Sequence, residues 1–394
     1  MLNEYYRVLG FIFSKPGVLV IFILGPILYP LIMGGVYING RTQNVPCCIM
    51  DMDSSETSRR YIAMLNQSQD LRLVKKAASL PAVREAFEDH EVYFGIVIPR
   101  GFEKNIKIGK AATIAVYGDG MNLIPAIIGY KGIHTVTATF NAAVKIGVMT
   151  KKGVPAGAAY AAALPLSSNV NGLYNPANNY NTFILPALLC IIFMQITFIG
   201  ISAVSYEKRS RSIEQVSGSY EGSYWLYGSF LAYLTLMIPM TLLSALFSFA
   251  LFDFGVRGNL VAIFCVTVLF ESVIVLLGIF LTNTFRDTMG IMICLMYVSV
   301  PVFLVSGGSW PLEAMTGACR ALCLASPLTL YVTVTRRLVT MGAEPWYAGE
   351  YIFGLMVWLL AALALARFSV HKTQKNMPAY IQRKAAEKNK LQSN

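Results

Sequence analysis

GVLVIFILGPILYPLIMGGVYI, Gly17 to Ile38, is a run of 22 residues without a charge. At about 1.5 Å rise per residue it is long enough to cross a bilayer hydrocarbon core of about 30 Å. Working outward, the next comparable run, Phe183 to Val204, begins only after more than 140 polar-rich residues. Further apolar runs follow at about 224–252, 260–282, 289–305 and 349–366. One span, a long water-compatible insertion, then five closely spaced spans is a layout that few folds share. It predicts an α-helical membrane protein with six transmembrane helices and an inserted extracytoplasmic α/β domain.

Composition agrees with that class. The 394 residues are 55% hydrophobic and 13% charged, with a mean hydropathy of +0.55. The first run is too long for the apolar region of a cleaved signal peptide, contains Pro26 and Pro30, and is followed by no small-residue cleavage pattern. The formal charge of +11 raises nucleic acid as a ligand, but the basic residues are dispersed along the chain. Their densest cluster is the tail, where seven of the 32 Lys and Arg fall between Arg367 and Lys390 against one acid, Glu387. A basic tail after the last span is a cytoplasmic end facing anionic lipid, so no nucleic-acid partner is expected.

The charge bias also orients the chain. The loop 205–223 carries Lys208, Arg209 and Arg211, which places it in the cytoplasm. Counting spans from there puts both termini in the cytoplasm and residues 39–182 outside. Residues 1–16 hold an amphipathic helix in the interface, with Leu2, Tyr5, Leu9, Ile12 and Phe13 on its apolar side. Residue 17–38 is the first span, 183–366 holds the other five, and 367–394 is the basic tail.

Within 39–182, strand and helix signals alternate, as in a small α/β domain. Val45–Met50, Leu71–Val74, Val92–Ile98 and Thr113–Tyr117 read as strands. A helix capped by Asp53 or Ser54 runs to about Asn66, Pro81–Asp89 is helical, and Leu123 to about Met149 is a long helix. Residues 153–179, rich in Ala, Pro, Gly, Ser and Asn, read as irregular. Cys47 and Cys48 are neighbours on one strand and point to opposite faces. A surface-exposed thiol among them would react with an impermeant reagent. Between the last two spans, 306–330 is only moderately apolar and carries Gly307, Gly308 and Pro311, which suits a re-entrant turn.

Chemistry is sparse. There is no G-x-x-x-x-G-K-[ST] loop, and the nearest fragment, Gly109-Lys110-Ala111, lacks both the upstream Gly and the Ser/Thr. His90, His134 and His371 are scattered, and the cysteines show no metal spacing. The sequence therefore predicts no catalytic residues and no metal. Its one conspicuous intramembrane charge is Glu271, near the middle of 260–282. Thr267, Glu271, Gly278 and Thr282 follow steps of four, seven and four, which align on one helical face. A charge at that depth costs about 2.5–3.5 kcal/mol on insertion scales, so the stripe should face protein or water. Glu271 is then either a transport-pathway carboxylate, with Thr267 beside it, or a protonated carboxyl bonded to a neighbouring helix.

Several segments, in order, resemble the ABC-2-type permeases, the membrane subunits of ATP-binding-cassette exporters. The closest likeness is to the subgroup with a large extracytoplasmic domain after the first helix. Asp51, Asp53, Ser54, Ser58 and Arg59 resemble its "vaVvDxDxSxxSR" start, and Ile98, Pro99, Gly101, Phe102 and Gly109 its "IPxgFexdlxxG" stretch. VYGDGMN (Val116–Asn122) is similar to "vyxDgxn", Leu173–Pro176 to "yNP", and Ile184–Pro186 to "ivP". In the loop, Glu207, Lys208, Glu214 and Gln215 match "EkErGTxEqL", while Arg211-Ser212 replaces the "GT" pair. SGGSWPLEAM from Ser306 resembles "SGxxxPlexmP", with Thr316 in place of the final Pro, and Ser326–Thr329 resembles "xPlt".

The resemblance implies a permease that pairs with a second permease subunit, identical or a sister chain. It implies ABC ATPase subunits that dock on Glu207, Lys208, Arg209, Arg211, Glu214 and Gln215. ATP would be bound by those partners, with no cofactor in this chain. It implies efflux of an amphiphilic, lipid-like or drug-like substrate across a bacterial cytoplasmic (inner) membrane, with membrane lipids and a periplasmic adaptor as further partners. For the Asp-x-Asp-Ser run, the residues allow a metal or substrate site or plain turn-and-cap chemistry. The family pattern is apolar at Glu271, which therefore inherits no role. A different class with the same layout is a non-transporting membrane receptor or assembly scaffold.

Overall fold

The computed structural model describes residues 1–38, 43–166, 173–176, 179–210, 222–252, 255–285 and 288–392. Side chains of 206–210, 222–223, 288–289, 292, 296, 374 and 376–392 are outside that description. The chain divides into two compact units, Arg41–Asn171 and, around it in sequence, Met1–Gly40 with Gly172–Asn394. Residues 172–182, expected with the inserted domain, thus belong to the helical unit, and Asn181 shows one reason. Its side-chain amide donates to the Tyr37 carbonyl at 2.8 Å, satisfying the end of the first span.

The helical unit starts with α1 (Leu2–Ser14) and α2 (Pro16–Val36), broken at Lys15, where the backbone is extended and Pro16 opens the second helix. Then come α8 (Tyr180–Ser210), α9 (Gly222–Phe252), α10 (Leu260–Thr284), α11 (Thr288–Leu304), α12 (Gly317–Leu324), α13 (Pro327–Thr335) and α14 (Gly349–Gln392). Among the described residues, five helices are long and apolar enough to cross a membrane: α2, α8, α9, α10 and the segment Pro345–Thr373. A sixth crossing is available only if α12 and the Pro327–Thr340 segment, bent by 89° at their junction, count as one.

One expectation shifts here. The expected span 289–305 is α11, whose 17 residues are shorter than the other spans. The sharp bend lies between α12 and the helix that follows it to Thr340, inside the interval 306–330 where a break was expected. Pro327 accounts for its place: it biases Ser326 to extended backbone, which ends one helix, and it starts the next in its first turn.

Helix α10 is the hub, packed against α8, α9, α13 and α14. Its Val273, Val275, Leu276 and Ile279 join one core with α2, α8, α9 and α14, while Phe270 and Ile274 join a second with α8, α13 and α14. Close approach depends on glycine. A Cβ on Gly200 would stand 2.3 Å from the Phe22 ring, and one on Gly34 would stand 2.1 Å from the Phe252 ring. Helix α1 buries Glu4, Val8, Phe11 and Ile12 and packs on α9. Leu2 and Phe13, read as part of the apolar side that lies in the interface, are exposed, as is Tyr6. The helix has apolar residues on two faces, and protein takes only one.

The other unit is an α/β fold with strands β1 (Val45–Asp51), β2 (Leu71–Lys76), β3 (Phe94–Ile98) and β4 (Ala115–Gly118) in the order β2-β1-β3-β4. β1 runs parallel to β2 and β3, and β4 closes the edge antiparallel. Helices α3 (Glu56–Gln67), α4 (Leu80–Glu88), α5 (Phe102–Lys107), α6 (Leu123–Lys151) and α7 (Ala156–Ala163) complete it. Helix α7 lies in the stretch read as irregular. Six of its eight residues, AGAAYAAA, are Ala, the strongest helix former, and it opens directly after Pro155. Cys47 faces a core with Tyr61 and Phe94, and Cys48 faces Ala77, Val83 and Ala86 on the other side of the sheet. Both thiols are buried, and burial pushes Cys47 up to about 12, so neither serves as a surface label.

Candidate functional site

Glu271 has no solvent exposure at all, halfway along the hub helix. Two hydroxyls from neighbouring helices donate to it: Thr197 of α8 to Oε2 at 3.0 Å and Thr241 of α9 to Oε1 at 3.3 Å. One carboxyl group therefore joins three helices. Thr267, one turn earlier, shares a 3.0 Å hydrogen bond with the Tyr331 hydroxyl of α13, and the Tyr331 ring stacks on Phe270 at 4.0 Å. Gly278 and Thr282 are buried too, so all four residues of the stripe face the bundle interior.

Ser202, Ser244 and Thr329 are further buried hydroxyls of the bundle, each with no hydrogen-bond partner from side chain or backbone. Ser244 lies one turn beyond Thr241 on α9, so the polar strip continues from the carboxylate along that helix.

The turn residues Gly307, Gly308 and Pro311 form a second constellation. Gly307 takes φ +82°, which a side chain would strain, and Pro311 precedes the 3-10 turn Leu312–Ala314. The carbonyls of the two glycines are gripped by a residue that sequence reasoning missed. The Arg336 guanidinium donates to the Gly307 and Gly308 carbonyls at 2.5 and 2.8 Å and to that of Phe183 at 3.2 Å, and it lies 4.8 Å over the Phe183 ring. Arg336 opens a π-helical segment, Arg336–Thr340, an irregularity often found at functional positions. One cation thus fastens the start of α8, the turn after α11 and the bent helix pair.

Of the docking-loop residues, Glu207, Lys208 and Arg209 lie in the last turns of α8. Arg211, Glu214 and Gln215 lie outside the described residues. Just beyond the loop, the start of α9 is tied to two other helices. Ser229 donates to Glu4 of α1 at 3.3 Å, Glu4 also pairs with Arg7, and Arg367 of α14 bonds the Tyr227 hydroxyl.

In the α/β unit the Asp-x-Asp-Ser run is spent on local structure. The Asp51 carboxylate accepts from the Asp53 and Ser54 amides at 3.0 and 2.9 Å and from the Ser58 hydroxyl at 2.7 Å. Ser54, expected as a candidate cap, sits at φ +51°, and Ser55 caps α3 instead. Asp53 receives the Gly101, Phe102 and Glu103 amides at 2.7, 3.1 and 3.0 Å, so it caps the distant helix α5. Hydrogen bonding from the Ser55 hydroxyl, and then from those amides, holds its carboxyl below the usual range. Among the described residues no three His, Cys, Asp or Glu side chains come together.

Comparison with known proteins gives two findings. Residues 16–368 match the family model described as "ABC-2 family transporter protein". The chain is similar to "ABC transporter G family member 20" of Dictyostelium discoideum, 25% identical over 214 residues. That alignment takes in 52% of this chain and 28% of the relative, so the chain spans little more than a quarter of that protein's length. Because the family match starts at α2 and ends within α14, taking in both units, this multi-pass membrane chain belongs to the ABC-2 family of transporter proteins.

Proposed function

We propose that this chain is the permease subunit of an ATP-driven exporter, working with a second permease subunit and two separate ABC ATPase subunits. The observation that carries the reading is the family match over 16–368. ATP is then bound and hydrolysed by the partners, and this chain supplies the pathway and no cofactor. The positive-inside bias of 205–223 and the basic tail support cytoplasmic termini, an extracytoplasmic α/β unit and a cytoplasmic (inner) membrane location. An amphiphilic, lipid-like or drug-like cargo suits the apolar bundle, and its polar part would meet the strip around Glu271.

Coupling runs through the ends of α8 and α9. The docking loop joins them, and closure of the ATPases would pull on both. At α9, the bonds of Ser229 and Tyr227 pass that pull to α1 and α14. At α8, the rod carries it to the Thr197–Glu271 contact, on the near side of Pro186 from the Arg336 clamp. The test is charge reversal at the dock. Glu214→Arg should reduce copurification of the ATPase and transport by tenfold or more, with normal membrane insertion. Hydrolysis of ATP by the purified chain without a partner, or undiminished transport by the variant, would overturn the reading.

A further inference from the structure

Met315, Cys319 and Cys323 are spaced four residues apart at the bent helix pair, in the sequence MTGACRALC. Met315 ends the 3-10 turn before α12, and the two cysteines lie one helical turn apart on α12 itself. Cys323 brings the other two sulfurs to itself. Cys319 Sγ and Cys323 Sγ are 3.9 Å apart, and Cys323 Sγ is 3.8 Å from Met315 Sδ. Cys323 is buried, whereas Cys319 and Met315 are each part-exposed, so the cluster is closed on one side and open on the other.

The spacing matches what a soft metal ion imposes on its ligands. Metal–thiolate bonds are about 2.3 Å long. Ligands 120° apart on such an ion stand about 4.0 Å from one another, and tetrahedral ones about 3.8 Å. Two ligands in a line would stand about 4.6 Å apart, which is too far. Three- or four-coordination therefore fits the two separations that Cys323 makes, to Cys319 and to Met315. The donor set then selects the ion. Two thiols and a thioether, with no oxygen or imidazole among them, favour Cu(I) over the hard and borderline divalent ions.

We infer that Met315, Cys319 and Cys323 form a binding site for a thiophilic monovalent cation, Cu(I) in chemical class. Each cysteine that binds as a thiolate gives up its proton as the ion enters, so affinity should rise with pH. Occupancy would staple the 3-10 turn to α12 and stiffen the approach to the bend. The site shares no residue with the Glu271 centre or the docking loop, and it does not depend on the proposed transport reaction.

The test uses the purified full chain, reduced and anaerobic, with the exposed thiols removed as Cys265→Ser and Cys294→Ser. Cu(I) is supplied from a chelator that competes for it. One Cu(I) per chain should be retained, with X-ray absorption showing sulfur neighbours at about 2.3 Å. Cys319→Ser combined with Cys323→Ser should abolish retention. Met315→Leu, which keeps the side-chain volume, should weaken it by tenfold or more with an unchanged gel-filtration profile. Copper retained equally by the double serine variant would overturn the site. So would wild-type affinity in Met315→Leu, which would leave only adventitious thiol binding around an apolar sulfur cluster.

Discussion

Replacing Glu271 separates what the carboxyl does for the fold from what it does for transport. Glu271→Leu removes the acceptor of two buried hydroxyls, Thr197 and Thr241. An orphaned hydroxyl costs about 1–3 kcal/mol, but a helical threonine can turn to its own i−4 carbonyl, so about 1 kcal/mol each is the reasonable charge. Against this, an acid in the middle of a span costs about 2.5–3.5 kcal/mol, which leucine avoids. The two sums nearly cancel. Stability of the leucine variant should therefore lie within about 1–2 kcal/mol of wild type, read from denaturant unfolding in mixed micelles. Glu271→Gln keeps the shape but never ionises, and its amide nitrogen can donate to the threonine hydroxyl that loses its acceptor, so it should be about equally stable. On the transport-pathway reading of the carboxyl, both variants should lose transport in reconstituted vesicles. A leucine variant destabilised by more than about 4 kcal/mol, with glutamine transporting normally across pH, would show that the carboxyl is only an interhelical tie and refute the reasoning.

The Arg336 clamp should be specific to the guanidinium. Arg336→Lys keeps the charge but cannot reach three carbonyls at once, and should lower stability by about 2 kcal/mol in the same unfolding assay. In the α/β unit, Asp53→Ala should expose the amides of α5, speeding hydrogen exchange at 101–105 about tenfold, as expected for a lost cap of about 1.4 kcal/mol. Because the folded carboxyl is held low, its contribution is present above the ordinary aspartate pKa. That contribution is lost as pH falls through the lowered value, and Asp53→Asn should remove this acid dependence. Sidedness is best probed at Met121, which is 94% exposed. Met121→Cys should react with an impermeant maleimide in sealed cells, whereas Asn389→Cys should react only after the membrane is opened.

The legible part of the fold was written in period and punctuation. A run of 22 uncharged residues has few alternatives, and the strands of the α/β unit are short apolar runs bounded by Gly, Pro, Asp and Ser. The buried stripe of α10 was legible because 3.6-residue spacing puts Thr267, Glu271, Gly278 and Thr282 on one side of any helix. Its partners were not. A lone threonine in an apolar span looks alike whether it bonds its own backbone, as Thr284 does, or a carboxyl on another helix, as Thr197 does. The division of α1 was not legible for a related reason: when apolar residues occupy more than one face, periodicity cannot say which face packs on protein. Arg336 was invisible as a clamp, because a cation at the end of an apolar run carries the same signature whether it faces lipid headgroups or three carbonyls.

These contacts give α8 a particular mechanical place. Near its start the Phe183 carbonyl is held by Arg336, and one turn later Pro186 leaves the helix without a backbone donor. Farther along, Gln195 donates to Ser299 of α11 at 2.6 Å and Thr197 to Glu271 of α10. Beyond these the helix runs unbroken to Ser210, carrying Glu207, Lys208 and Arg209. A displacement at the Ser210 end therefore reaches Thr197 through regular helix, with no proline between. Between Thr197 and Phe183 it meets Pro186, where the missing hydrogen bond lets the first turns bend independently. The Glu271 contact lies on the rigid side of that joint and the Arg336 clamp on the other. A pull from the Ser210 end would thus strain the Thr197–Glu271 bond first, while Arg336 holds the far end in place.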